Sequence, residues 1–481
     1  MKHDCFRKAP GLCRLLAVLF FAPLAASQAA DPAPPTGRPN IVIILSDDMG
    51  YADIGAYGCK DIPTPNIDRI AQQGVRFTDA YANGAFCTPT RSALMSGRYQ
   101  HRHGNEDLAD RTGPLPIAVR TLPQRLRDAG YTTALVGKWH LGSHPGFTPL
   151  DRGFDDFFGF LGGGHVYLPM PGRKGEYGAP LFRNREPLSE QRYLTDAFGE
   201  EAGAFIERQR NATKPFFLYL AFNAVHLPLQ TTEKYAARFT GIADARRRSY
   251  AAMLSAMDDA VGLVLAKLEQ TGKRDTTLVI FHNDNGGPTT RNAINGSRNT
   301  PLRGSKGETF EGGIRVPLLM RWPGVLEAGA VCRQPVVSFD LSATALALAG
   351  ADASGIDGVD LIPFLTGKRA GAPHDVLFWR SRTMDNNHAA RQGDWKFVFS
   401  TEVSATSEST KAPGRDMLFN LAEDLSEQHD LSARHPERLA ELKKLYETWS
   451  DEVDADCRRL GIEPPLPKPV SEPAQKKQKK K

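Results

Sequence analysis

The sequence predicts an α/β fold, a mostly parallel sheet flanked by helices, with a smaller α+β subdomain at its C-terminal end. Four short apolar runs, at residues 40–45, 131–136, 216–222 and 277–281, are rich in β-branched and aromatic residues. Runs of that kind read as strands buried on both faces. Helical patterns separate them, which is the alternation of parallel crossover units. Each run then ends in a polar cluster: Ser46-Asp47-Asp48, Gly137-Lys138-Trp139-His140, Asn223-Ala224-Val225-His226 and His282-Asn283-Asp284-Asn285. In an open parallel sheet, ligands bind outside the carboxyl ends of the strands. Four clusters at one edge would converge on one crevice, which turns and helix caps alone do not explain.

The elements follow in order. Residues 1–30 have a basic start, an apolar run over 15–24 and small residues at 26–30, the pattern of a secretory signal. That run is short for a bilayer, and no later segment is long enough to span one. The expectation is an exported, soluble mature chain, periplasmic or secreted, with a Pro-rich linker at 31–39. A helix over 64–71 takes Thr64 as its cap and Pro65 at its first position. The next helix should use Thr88 as cap and Pro89 as first residue, with Gly97 just past its end. Cys87 then lies beside a helix N-terminus, where free amides and the macrodipole favour an anion, and Arg91 adds a fixed positive charge. Another helix starts at Thr121 and stops at Gly130. Residues 154–167, rich in glycine and aromatics, read as irregular and surface-facing, a candidate pocket wall. Helices are expected over 193–209 and 246–271. The Gly-rich stretch 302–317 aims Lys306 at the crevice but lacks the spacing of a phosphate-cradling loop. Helices over 340–348 and 361–365 end the large domain, 40–370. Short strands at 376–379, 396–399 and 417–421 and a helix over 436–453 form the subdomain, 371–460, and a Pro- and Lys-rich tail, 461–481, reads as solvated and disordered.

At 481 residues and 41% hydrophobic content the chain can bury a large core. The net charge of +5 is concentrated at the ends, in five lysines of the tail and the basic start. The body is net acidic, which excludes a nucleic-acid-binding surface. Cys5 and Cys13 fall in the signal. Cys59, Cys87, Cys332 and Cys457 remain, and if Cys87 is consumed by modification the other three allow one disulfide, with no preferred pair.

Cys87-Thr88-Pro89-Thr90-Arg91, followed by Leu94 and Ser96-Gly97-Arg98, resembles the signature of the type I sulfatases. Thr90 stands where many members have serine. Around it, Asp47-Asp48, the Lys138 to His140 cluster, His226, Asp284-Asn285-Gly286 and the 302–317 stretch extend the resemblance over nearly the whole mature chain. It is similar to the arylsulfatase A and N-acetylgalactosamine-6-sulfatase branch of the family. The resemblance implies an alkaline-phosphatase-like fold and a sulfuric ester hydrolase acting on a sulfated saccharide or an aryl sulfate. It implies that a maturation enzyme converts Cys87 to formylglycine, whose hydrate is the nucleophile. Asp47, Asp48, Asp284 and Asn285 would hold one Ca2+, and an oxygen-only set suits such a hard cation. Lys138 and Lys306 would bind the sulfonate oxygens, and Arg91 would hold the nucleophile. His226 or Lys306 would protonate the leaving alcohol, and His140 would take the proton that lets sulfate depart. His165, in Gly162-Gly163-Gly164-His165, is a further candidate for substrate contact. Two alternatives stay open: a phosphonate monoester or phosphodiester hydrolase, and a non-catalytic sulfated-glycan-binding protein in which Cys87 is unmodified.

Overall fold

The computed structural model describes residues 37–466, apart from 171, 173, 291–292, 383–385 and 403–410. The expected signal and most of both the linker and the tail lie outside the described residues. A ten-stranded sheet holds β1 (Asn40–Ser46), β2 (Val75–Phe77), β3 (Thr132–Lys138), β4 (Asp156–Phe160), β5 (Leu181–Arg183), β6 (Glu186–Leu188), β7 (Phe216–Ala221), β8 (Thr277–Asn283), β9 (Leu318–Arg321) and β10 (Ala330–Cys332). Its order is β10-β2-β9-β8-β1-β7-β3-β4-β5-β6. The four strands predicted from apolar runs are the central neighbours β8, β1, β7 and β3, all parallel, so their carboxyl ends share one edge.

The continuity of those runs has a plain cause. Successive residues of a strand point to opposite faces, and both faces of this sheet are covered. Val42 and Ile44 of β1 join one core with Phe198 and Leu254, from α4 (Leu194–Arg208) and α5 (Ala245–Gln270). Ile41, Ile43 and Leu45 join another with Leu94, Leu126 and Leu341. Those come from α2 (Cys87–Ser96), α3 (Leu122–Asp128) and α6 (Ser338–Ala349), numbered after α1 (Pro65–Gln72). Thr121 starts α3 with a capping box to Gln124.

The expectation for residues 154–167 holds for the irregular pocket wall at Leu161, Gly162 and Gly163 but needs correction for the residues before it. They contain β4, paired with β3, and Phe154, Phe157, Phe158 and Phe160 are all buried. The glycines that read as loop signals are there because backbones approach closely. A Cβ on Gly137, whose φ is +114°, would lie 1.9 Å from the Ala221 carbonyl oxygen, and one on Gly159 would lie 1.9 Å from that of Gly137.

The C-terminal sheet is antiparallel, in the order β11 (Leu377–Ser381), β12 (Asn387–Gln392), β13 (Trp395–Glu402) and β14 (Lys411–Asn420). The sequence reading missed β12, whose Asn-His-Ala-Ala-Arg-Gln carries no strong apolar alternation. Against this sheet packs α7 (Pro436–Arg459), with Trp449 and Val453 in one cluster with Trp379, Val398, Tyr81 and Phe339.

Candidate active site

The nucleophile candidate stands at the head of α2. The helix begins at Cys87 itself, because Phe86 is the extended boundary residue (φ −139°, ψ 162°); the expected start at Thr88 and Pro89 is corrected by two residues. Pro89 fits there because first-turn amides need no intrahelical acceptor. Freed from capping, the Thr88 hydroxyl lies 3.3 and 3.4 Å from the two ring nitrogens of His140. Thr90 donates to the Gly84 carbonyl (3.0 Å) and accepts from its amide (3.1 Å), pinning the loop that precedes the helix. Gly97 ends the helix in the left-handed region, as expected.

The polar clusters at the ends of β1, β3, β7 and β8 do meet at one edge of the sheet. Cys87, only 2% exposed, shares a cavity of about 650 Å³ with His140, His226, Lys306, Phe86 and Tyr177. Beneath it lies a buried charge network. Lys138 Nζ donates to Asp47 Oδ2 (2.6 Å) and Lys306 Nζ reaches Asp48 Oδ1 (2.6 Å). Arg91, fully buried, donates through Nε (3.1 Å) and Nη2 (2.8 Å) to Asp284 Oδ2, and its Nη2 is 3.5 Å from Asp47 Oδ2. Asn285 Nδ2 donates to Asp48 Oδ1 (2.8 Å), and His226 Nε2 is 3.6 Å from Asp48 Oδ2. Asp48 and His140 both hold φ of 60°, strained for residues with a side chain.

The electrostatics follow from burial and crowding. Burial opposes charge on Asp47, but Lys138, His226 and Arg91 outweigh it and hold the carboxyl well below its usual range. Asp284 is pushed up to about 7, by burial and then by Asp47, against the pull of Arg91 and Lys138. Burial, then Lys138 and Arg91, drives His140 well below the usual histidine value, so its ring is neutral. Burial also pushes the Cys87 thiol up, against Lys138 and Lys306.

A cation would find hard oxygen donors here. Asp47, Asp48 and His226 can each bring one ligand atom within 4.8 Å of the others. Asp47 Oδ1 and Asn285 Oδ1 are buried with no hydrogen-bond partner. Two orphaned buried acceptors, beside the carboxylates of Asp48 and Asp284, fit an oxygen-ligated divalent ion.

His165 stands apart from this group. Its Nδ1 is 2.7 Å from the Val166 carbonyl and its Nε2 is 2.9 Å from that of Ala179. It lines a neighbouring cavity of about 350 Å³ rather than the one that holds Cys87. Sequence reasoning overlooked Thr88, hidden at a variable position of the Cys-x-Pro-x-Arg pattern. It overlooked Tyr167, whose hydroxyl donates to the carbonyls of Asn223 and His226 and so fixes the loop after β7. It also overlooked Tyr177, in a stretch with no periodic signal.

Comparison with known proteins agrees with this geometry. The family model described as Sulfatase matches residues 39–351. The N-acetylgalactosamine-6-sulfatase of Canis lupus familiaris is 32% identical over 478 residues, covering 90% of this chain and 88% of its own. Arylsulfatase A of Homo sapiens is 35% identical, covering 85% and 87%. Among solved structures, Ps i-CgsB in complex with k-i-k-neocarrahexaose superposes with a TM-score of 0.79 at 38% identity, covering 86% of this chain and 93% of that one.

Proposed function

Because this chain belongs to the sulfatase family, and its relatives are sulfuric ester hydrolases, we propose that it is an exported enzyme that removes O-sulfate from a carbohydrate, using one Ca2+ and a formylglycine made from Cys87. The observation that carries this reading is the shared cavity of Cys87, His140, His226 and Lys306 above the buried Asp47–Lys138 and Asp48–Lys306 pairs. A saccharide substrate is supported by the N-acetylgalactosamine-6-sulfatase relative and by the neocarrahexaose bound in the similar structure.

A buried thiol kept protonated is a poor nucleophile. A formylglycine at position 87 supplies a hydrated aldehyde, with one hydroxyl to attack sulfur and a second whose deprotonation releases sulfate. Asp47, Asp48, Asp284 and Asn285 would hold the Ca2+, which would supply positive charge to stabilise the sulfonate group. Lys138 and Lys306 hold its oxygens, and preorganised cations of this kind are usually the largest catalytic contribution. Arg91 fixes Asp284 and the floor beneath the nucleophile. The neutral His140 accepts the proton of the second hydroxyl. His226 gives a proton to the leaving alcohol; it is lowered by burial, with Asp48 and Asp47 opposing, and an anionic ester beside it favours the imidazolium.

The test is the mass of the tryptic peptide holding residue 87, measured beside turnover of an aryl sulfate. Active protein should carry formylglycine, lose activity on chelation and regain it with Ca2+. Cys87→Ser should take the sulfonate group onto its oxygen and retain it, with no steady turnover, and Cys87→Ala should do neither. Full activity from protein with only unmodified cysteine would overturn the reading.

A further inference from the structure

A second cavity, of about 450 Å³, adjoins the first and is lined by Tyr177, Leu227, Pro228, Leu229, Arg246 and Ile294. Tyr177 belongs to both walls. Its ring centroid is 6.4 Å from that of His226, and it packs so closely on Gly164 that a Cβ there would lie 2.6 Å from the tyrosine Cε1. The loop is continuous as well: His226 faces the first cavity, and the next three residues line the second. The two cavities thus meet at Tyr177, with His226 on one side and the apolar floor on the other.

Arg246 is the cation of that floor. Three successive arginines, Arg246, Arg247 and Arg248, stand in the first turn of α5, where the helix dipole disfavours positive charge. Arg247 is tied to Asp53 and Asp61, and Arg248 donates to the Ile242 carbonyl. The exposed Arg246 side chain has no ion pair or hydrogen bond with any described residue. A wall of one tyrosine, three aliphatic side chains and a proline suits the C–H face of a pyranose. The unpaired guanidinium suits an anionic substituent on that ring, with a fork geometry that matches sulfate or carboxylate.

Resting on the sulfated-carbohydrate reading above, we propose that the cavity beyond Tyr177 is a second saccharide subsite. There Arg246 binds an anionic group, a sulfate ester or a carboxylate, on the sugar next to the one that loses its sulfate. The enzyme thereby prefers a polyanionic saccharide to an isolated sulfated sugar.

The experiment compares wild type, Arg246→Ala and Arg246→Lys on three disaccharides. All carry the scissile sulfate on the terminal sugar; the neighbouring sugar is neutral, sulfated or carboxylated. An aryl sulfate, which ends in the first cavity, is the fourth substrate. Wild type should favour the doubly anionic disaccharides, less so at high salt. Arg246→Ala should lower kcat/KM on those by about tenfold, mainly through KM, as loss of a charge-assisted contact does. Arg246→Lys should recover part of it. The sulfated and carboxylated arms tell which anion is read. Equal falls on all four substrates, or no fall on any, would overturn the subsite. A wild type inactive on every sulfate ester would instead overturn the sulfatase reading, and the subsite with it.

Discussion

At the scale of single residues, the site is built from groups whose neighbours decide what they can do. His140 is the clearest case: its strained backbone, its buried ring and the Thr88 hydroxyl beside it leave a neutral imidazole in one place. Thr88→Val keeps the volume and removes the hydroxyl. We expect kcat to fall roughly tenfold with KM little changed, the loss that follows from misplacing the proposed proton acceptor, and Thr88→Ser to restore it. Steady-state kinetics on an aryl sulfate check this, and an unchanged kcat would separate Thr88 from the work of His140. That Asp47, Lys138, His226 and Asp284 meet at one edge of the sheet was legible in the sequence, because each follows an apolar run. Thr88 was not, because a threonine next to a proline reads first as a cap. His165 is placed differently from the rest: both its nitrogens face backbone carbonyls, and it lines the neighbouring cavity.

At the scale of elements, the parallel strands were legible because both faces are apolar, and β4 was not because glycine signals a loop and a close strand contact alike. The join between the large domain, at Glu311, and the C-terminal sheet left no sequence signal at all. Lys396, on β13, is fully buried between Glu311 Oε1 (2.7 Å) and Glu427 Oε1 (2.9 Å). Burial and then Glu311 raise Glu427 to about 7, with Lys396 opposing. Glu311 is held at about 2; burial opposes its charge, and Lys396, Arg315 and Arg391 outweigh it. Neither carboxylate has a pattern partner in the sequence, since the three residues come from segments far apart. Lys396→Met would leave Glu427 buried without its cation, facing a Glu311 that keeps only Arg315, at 3.0 Å. Breaking such a group by removing one partner costs about 3–5 kcal/mol, so the urea midpoint should drop sharply. Lys396→Met with Glu427→Gln should recover much of the loss. A single variant as stable as wild type would show that the network does not hold the C-terminal sheet to the segment around Glu311.

At the scale of the whole molecule, burial that shapes the site also sets how the fold responds to acid. Histidines outside the cavity lining are buried neutral: His103 is lowered to about 3 by burial and then by Arg98, Arg152 and Arg102, and His388 to about 4, chiefly by burial. In the unfolded chain each titrates near its ordinary value of about 6.5. As pH falls below that value the unfolded state binds protons that the folded state refuses. The stability these residues contribute is therefore present above about pH 6.5 and lost as pH falls towards 4. His374 has the opposite sign. Burial disfavours its charge, but Asp340 at 2.8 Å raises it, so its contribution is full in acid and is lost as pH rises above its ordinary range. It cannot offset a slope between pH 6.5 and 4, where it stays charged. Each depressed histidine steepens that slope by at most about 1.4 kcal/mol per pH unit. His388 offers a clean subtraction, since its ring is stacked between Phe399 (4.6 Å) and Tyr446 (4.3 Å) and a phenyl ring fits the same slot. Urea midpoints of wild type and His388→Phe, measured with saturating Ca2+ from pH 7 to pH 4, should diverge. Wild type should lose stability steadily, and the variant should lose about 1 kcal/mol less per unit. Parallel curves would mean that His388 is protonated within the fold, and that the stacked slot admits charge.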